Sequence, residues 1–248
     1  MKPRIIAIIP VRFASVRLPG KPLLPMAGKP MIQHVYERAL SAQLDQVVVA
    51  TDDRRIYDVV KSFGGHVVMT DKHHPSGTDR VAEAATQLSA DVIVNLQGDE
   101  PLLNPRAIDA AVAPFLEDTS LTMSTLAHEM TDIQEIDDPN IVKVICNLQG
   151  DALYFSRSPI PYFRHGYPGE YPVLRHIGLY VFRKDFLATL ASLPPTPLEK
   201  SEGLEQLRVL EHGYRIRVIR SAHAAIGVDT EADYQKVCRL METGGPDA

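Results

Sequence analysis

Four short runs dominated by β-branched and aliphatic residues, RIIAII (Arg4 to Ile9), QVVVA (Gln46 to Ala50), HVVM (His66 to Met69) and DVIVNL (Asp91 to Leu96), constrain the fold more than any other feature. They are nearly continuous in apolar character rather than alternating, the pattern of strands covered on both faces, as in a parallel sheet. Parallel neighbours need crossovers, and the segments between the runs supply them. In MIQHVYERAL, residues Ile32, Val35, Tyr36, Ala39 and Leu40 recur at helical spacing. RRIYDVVKSFGG repeats this with Ile56, Val59, Val60 and Phe63 before a Gly64-Gly65 stop, and DRVAEAATQL with Val81, Ala84, Ala85 and Leu88. Strand and helix alternating in this order predict an α/β fold with right-handed crossovers and a mainly parallel, doubly wound sheet.

Beyond Pro105 the rhythm changes. LTMSTL and IVKVICN read as strands, and ALYFSRSPIPYFRHGYPGEYP, rich in Pro, Gly and aromatic residues, reads as a functional loop or a subunit contact. RHIGLYVF is a further strand and KDFLATLASL a helix closed by PPTP. The α/β pattern then resumes with EGLEQLRVLEHG, YRIRVIR and a last helix after GVDT, where Thr230 and Asp233 have capping-box spacing. Without a repeat, low-complexity tract or clear linker, the 248 residues are expected to form one domain with an insertion-like middle segment at about 140–200.

A net charge of −5 argues against an extended nucleic-acid footprint, so basic residues matter only where they cluster. The apolar runs are far shorter than the ~20 residues of a membrane span, and KPRIIAIIP carries no signal-peptide pattern. The two cysteines, Cys146 and Cys238, lie in apolar runs and fit buried packing in a reducing cytoplasm.

Ligands of open α/β sheets bind beyond the carboxyl ends of the strands, and RFASVRLPGKP sits at that end of the first strand. Arg12, Arg17 and Lys21, on a path stiffened by Pro19, Gly20 and Pro22, suit a polyanion such as a triphosphate, although the segment matches neither GxxxxGK[ST] nor GxGxxG. QGDEP places Asp99 and Glu100 at the same sheet edge, where a carboxylate can hold Mg²⁺ against phosphate oxygens. Asp229 in GVDT is a second acid of this kind or a simple helix-start acid. Ser76, Gly77 and Thr78 in HHPSGTDR open a helix beside a base or phosphate, whereas His73 and His74 lack a third ligand at useful spacing and are not read as a metal site. Two strand-end acids with a polyphosphate loop point to metal-assisted nucleotidyl transfer.

Taken together, VRFASVRLPGKP, ATDD, HHPSGTDR, VNLQGDEP, DPNIVKV, ALYFSRSPIPY, RHIGLYVFR, PLEKSEGLEQLRVLEHG and GVDTEADYQKV resemble the 3-deoxy-manno-octulosonate (Kdo) cytidylyltransferases, the CMP-Kdo synthetases of lipopolysaccharide assembly, in order and over almost the whole chain. QGDEP alone is shared among cytidylyltransferases; LEQLRVLE with RHIG and FSRSPIP is more specific. The resemblance implies a nucleotide-diphospho-sugar transferase fold with a dimerisation and sugar-binding insertion, a cytoplasmic homodimer, Mg²⁺, and CTP and Kdo as substrates. By motif it implies that Arg12, Arg17 and Lys21 meet the triphosphate and that Ser76, Gly77, Arg80 and Gln97 lie near the nucleotide. It further implies that Asp99 and Asp229 hold Mg²⁺, that Gln97, His176, Tyr180, Glu205 and Gln206 contact the sugar acid, and that Arg157 lies near its carboxylate. Val11, Val16, Glu231 and Ala232 depart from the family pattern without touching a charged position. His176 is a weak candidate for a general base and reads better as a structural or sugar-binding residue. Two rival readings remain: a cytidylyltransferase for another acidic sugar, either 8-amino-Kdo or a sialic acid, and an inactive nucleotide-binding regulator.

Overall fold

The computed structural model describes residues 2–14, 18–167, 172–223 and 226–243. Ile5–Val11 (β1) leads into a short hairpin, Pro25–Met26 (β2) and Lys29–Pro30 (β3). Met31–Leu40 (α1), Gln46–Thr51 (β4), Arg54–Ser62 (α2), Val67–Met69 (β5), Gly77–Thr86 (α3) and Val92–Asn95 (β6) follow in the expected alternation. β1 runs parallel to β4 on one side and β6 on the other, and β4 is parallel to β5. Successive side chains leave a strand on opposite faces. Ile5, Ala7, Ile9 and Val11 therefore enter a core with Ile32 and Val35 of α1 and Ile56 and Val60 of α2, while Ile6 and Ile8 enter another with Val81, Ala84 and Ala85 of α3. Burial on both faces is why β1 has no polar alternation.

The second half holds Pro105–Val112 (α4), Pro114–Glu117 (α5), Met123–Glu129 (β7), Lys143–Cys146 (β8), Ala152–Ser156 (β9), Leu174–Arg183 (β10), Lys184–Ser192 (α6), Pro197–Glu202 (α7), Gln206–Glu211 (α8), Arg217–Ser221 (β11) and Glu231–Glu242 (α9). The main sheet order is β11-β7-β10-β6-β1-β4-β5, with a β8–β9 hairpin attached to β10. β11 is parallel to β7, but β10 is antiparallel to both β6 and β7. The sheet is thus mainly parallel, with one reversed strand near its middle.

Three local features differ from the sequence reading. Ala152–Ser156 is a strand rather than a loop, because it pairs antiparallel with β8, from Phe155 opposite Val144 to Ala152 opposite Cys146, with Ala152 and Phe155 buried and Leu153 exposed. EGLEQLRVLEHG, given no element of its own in the sequence reading, begins in one helix and ends in another, because Gly203, at φ 63°, ends α7 in the left-handed region before α8 begins. Helix α4 was not anticipated, although Asn104 caps it, Pro105 opens it and Ala107, Ile108, Ala111 and Val112 form its buried stripe. No described helix is long and apolar enough to cross a membrane.

A smaller core joins the two ends of the described chain. Val237 of α9 and Val228 pack with Leu18, Met26 and Met31, and the Tyr234 hydroxyl donates to the Pro25 carbonyl.

Candidate active site

The loop after β1 is shaped before it is charged. Gly20 adopts φ 70°, and a Cβ there would lie 3.2 Å from the Phe13 ring; Pro22 then sits buried in a 3₁₀ turn, Lys21–Leu23. This turn aims Lys21 inward. Its Nζ donates to Asp99 Oδ2 at 2.7 Å and to Asp229 Oδ1 at 3.2 Å. Arg12, at the end of β1, donates to the carbonyls of His74 and, at 3.3 Å, Ser76, which fastens the charged loop to the loop that opens α3. Arg17 lies outside the described residues.

Asp99 is delivered by β6, the parallel neighbour of β1. Gly98 makes this approach possible, since a Cβ on it would fall 2.2 Å from Val11 Cγ1 and 3.3 Å from the Pro10 carbonyl. Asp229 arrives from the far end of the sequence. The Val228 amide donates to the Asp99 carbonyl at 2.9 Å, and the capping box of α9 holds the next residues, with Thr230 capping the helix and Asp233 Oδ2 accepting from the Asp229 amide at 3.2 Å. Arg12, Lys21, Gln97, Asp99 and Asp229 line one open cavity of about 310 Å³ beyond the carboxyl ends of β1 and β6. Beside it Glu100 is buried, and desolvation together with the Asp99 charge pushes its carboxyl up to about 8.

A second polar group lies where β10 is irregular. Its register against β7 shifts between Ile177 and Tyr180. An uninterrupted strand would set the Cα atoms of His176 and Tyr180 about 13 Å apart, yet their rings meet with centroids 5.5 Å apart. Gln97 Nε2 donates to the Gly178 carbonyl at 3.1 Å, linking this bulge to the charged cavity. Tyr180 Oη donates to Gln206 Oε1 at 3.2 Å, while Gln206 Nε2 is buried with no partner among the described residues. Glu205 accepts from Thr78 Oγ1 at 3.1 Å and Ser76 Oγ at 3.3 Å; burial raises its carboxyl, with those hydrogen bonds opposing the rise. Burial likewise raises the Tyr180 hydroxyl and pushes His176 down to about 3, so the imidazole is neutral at physiological pH.

The two groups meet through Ser76, which caps α3, touches Arg12 through its carbonyl and touches Glu205 through its hydroxyl. Gly77 opens the same helix and is exposed. Two expected residues sit differently. Arg80 is fully buried, with its guanidinium donating to Thr70 Oγ1 and to Asp52 Oδ2 at 3.0 Å, and is not on the cavity wall. Arg157 donates through Nε to the Glu202 carbonyl at 2.7 Å and through an Nη to the Pro139 carbonyl at 2.9 Å, bracing the end of α7 against the segment before β8. Thr125, which the sequence reading did not single out, lies under the bulge; only the β-branched character of LTMSTL marked its position.

Among the described residues no group of three or more His, Cys, Asp and Glu side chains could hold a metal ion. Asp99 and Asp229 nevertheless share one cation, the Lys21 ammonium, so a single ion can reach both carboxylates. Two hard oxygen donors facing an open cavity fit Mg²⁺, which commonly takes one or two carboxylates and completes its shell with water and substrate phosphate.

The family profile described as Cytidylyltransferase matches residues 6–216. The chain is 53% identical over 248 residues to the 3-deoxy-manno-octulosonate cytidylyltransferase of Geobacter sulfurreducens, covering 96% of this chain and 99% of that protein. It is 51% identical over 243 residues to that of Solibacter usitatus, covering 98% and 96%. Among solved structures it resembles a CMP:2-keto-3-deoxy-manno-octonic acid synthetase complexed with CTP, with TM-score 0.93, 45% identity and coverage of 97% and 99%. An inositol-1-phosphate CTP transferase from T. maritima, at 16% identity and TM-score 0.70 over 98% and 97% of the chains, shares the fold alone. Full-length similarity at this level, on a chain that gathers Arg12, Lys21, Asp99 and Asp229 at one sheet edge, has one conclusion. The chain belongs to the 3-deoxy-manno-octulosonate cytidylyltransferase family.

Proposed function

We propose that the protein transfers CMP from CTP to the anomeric hydroxyl of Kdo, giving CMP-Kdo and pyrophosphate. The observation that carries this is the cavity in which two cations and two carboxylates from distant segments converge next to a separate set of sugar-type hydrogen-bonding groups. Its likeness to a synthetase complexed with CTP supports the nucleotide, and its relatives' names support the sugar.

In this reading Arg12 and Lys21 hold the β- and γ-phosphates, and their attraction grows as negative charge builds on departing pyrophosphate. Ser76 and Gly77 approach the nucleotide from the N-terminus of α3, and Arg80 supports that loop from beneath through Asp52 and Thr70. Gln97, His176, Tyr180, Glu205 and Gln206 orient the sugar acid, the orphan Gln206 Nε2 finding its acceptor there. Arg157 approaches the sugar carboxylate while keeping its contacts to the Glu202 and Pro139 carbonyls. The anomeric oxygen attacks the α-phosphorus in line as the bond to the β-phosphate bridging oxygen breaks, with net loss of the hydroxyl proton. His176, with a pKa of about 3, is too weak a base at neutral pH to take that proton. Mg²⁺ held by Asp99 and Asp229 would supply charge compensation between the phosphates and the attacking oxygen. Lys21 must then leave the carboxylates for the triphosphate.

We further read the protein as a cytoplasmic homodimer. The free thiols of Cys146 and Cys238 suit a reducing compartment. Leu153 and Tyr162, 58% and 89% exposed, give the segment from Ala152 to Pro172 apolar surface for a second copy, and among the described strands β9 pairs with β8 alone; residues 168–171 of that segment lie outside the described residues.

The test is pyrophosphate release from CTP with Kdo, with 8-amino-Kdo, with a sialic acid and with no sugar. Release is expected with Kdo and not without sugar. Faster turnover of 8-amino-Kdo or sialic acid would move the sugar assignment, and no release with any of them would leave a nucleotide-binding regulator.

A further inference from the structure

Thr125 is fully buried on β7, opposite the bulge of β10, and its hydroxyl has three neighbours: His176 Nε2 at 2.9 Å, the Leu179 carbonyl at 2.8 Å and the Ile177 carbonyl at 3.2 Å. A hydroxyl has one proton, and carbonyl oxygens can only accept. The proton therefore goes to the carbonyls of the bulge, Leu179 being nearer. The hydroxyl oxygen then has lone pairs free for a donor, and Nε2 of a neutral imidazole becomes that donor when it carries the ring proton. The reverse arrangement, with Nε2 accepting, would leave lone pairs of the hydroxyl against both carbonyl oxygens. Phe155 packs edge-on against the same ring, with centroids 5.0 Å apart, so the ring is held in place as well as in tautomer. No hydrogen bond reaches Nδ1 among the described residues.

We propose that Thr125 is a positioning residue for the sugar site: it fixes His176 as the Nε2–H tautomer and so presents Nδ1 as a hydrogen-bond acceptor for a substrate hydroxyl. The same contact pins the bulge, whose Gly178 carbonyl is held from the other side by Gln97. One threonine thus sets the two ends of the sugar-facing ring pair, His176 and Tyr180. The second half of this inference rests on the reading of His176 as a sugar contact.

The experiment combines long-range ¹H–¹⁵N spectra of the imidazoles in ligand-free protein with steady-state kinetics. Wild type should show His176 protonated at Nε2 and bare at Nδ1. Thr125→Val, which keeps the shape but loses the hydroxyl, should show a tautomer mixture. It should raise KM for Kdo about threefold to tenfold, the loss of roughly one hydrogen bond, with KM for CTP unchanged. Thr125→Ser should restore both signals. A wild-type His176 with its proton on Nδ1 overturns the assignment and needs no variant to fold. So does a Thr125→Val protein with an unchanged tautomer, or with an unchanged KM for Kdo. Absence of any turnover by wild type would instead count against the reaction itself, since the tautomer is read on the free protein whatever the turnover.

Discussion

Lys21 stands between two carboxylates that would otherwise face each other, and its own side chain is only 13% exposed, against 29% for Asp99 and 49% for Asp229. In the proposed reaction a single ammonium does two jobs in sequence: it offsets part of the acids' charge before nucleotide arrives and meets phosphate afterwards. Lys21→Ala is therefore expected to lower kcat/KM by ~2 kcal/mol or more, and also to remove the cation that the two acids share in the free protein. Melting curves without nucleotide should then show Mg²⁺ raising the Tm of Lys21→Ala by more than it raises that of wild type. Wild-type turnover of the variant at subsaturating CTP would make the loop a solvated basic face. Lys21, Asp99 and Asp229 were legible in the sequence because each lies just past an apolar run or at a helix start, where chain direction alone decides position. Thr125 was not, since a threonine inside LTMSTL is what any strand contains and its role depends on a bulge in a different strand. Arg80 was legible as a charge at the start of α3, but its full burial beside Asp52 and Thr70 was not, since no local pattern connects them to it.

Among the elements, β10 carries the most. It lies between β6 and β7, reverses the sheet direction and breaks its own register at Ile177–Tyr180, and that break is what turns His176 and Tyr180 toward each other. The parallel half was readable because strands buried on both faces advertise themselves as unbroken apolar runs. RHIGLYVF was equally readable as a strand, but nothing within it states its direction, and Gly178 marks a bulge no more clearly than any strand glycine. Burying a neutral histidine in this element has a cost in acid. His176 titrates near 3 when folded and near the ordinary value of 6.5 when unfolded, so the unfolded chain takes up a proton that the folded one refuses. Stability should fall as pH drops from about 6.5 towards 3 and the contribution level off below that, with a slope from this one group of at most ~1.4 kcal/mol per pH unit. Urea midpoints of His176→Gln across that window should show a shallower slope than wild type. Parallel slopes would mean that the imidazole is already solvated in the folded state.

At the scale of the whole molecule, β10 and the hairpin of β8 and β9 belong to one sheet, so surface added at the hairpin is mechanically continuous with the candidate site. Sedimentation is expected to give a dimer, and Leu153→Asp, which places a charge on an exposed apolar position of β9, is expected to shift it towards monomer without loss of fold. A fully active wild-type monomer in dilute solution would remove the subunit contact.

The C-terminal helix seals the site over the N-terminal loop: Lys21 meets Asp229 across 208 residues, and Tyr234 meets Pro25 across 209. On the ribosome β1, β4, β5 and β6 emerge while more than half of the 248 residues is still to be made. The pocket cannot be complete at that stage. Its second acid is held by the capping box of α9, so a nascent or interrupted chain carries Arg12, Lys21 and Asp99 without the residue that completes them. If Asp229 is the second metal-holding acid, competence for the proposed transfer waits until α9 has been made, and a chain that stops before it is expected to leave CTP intact.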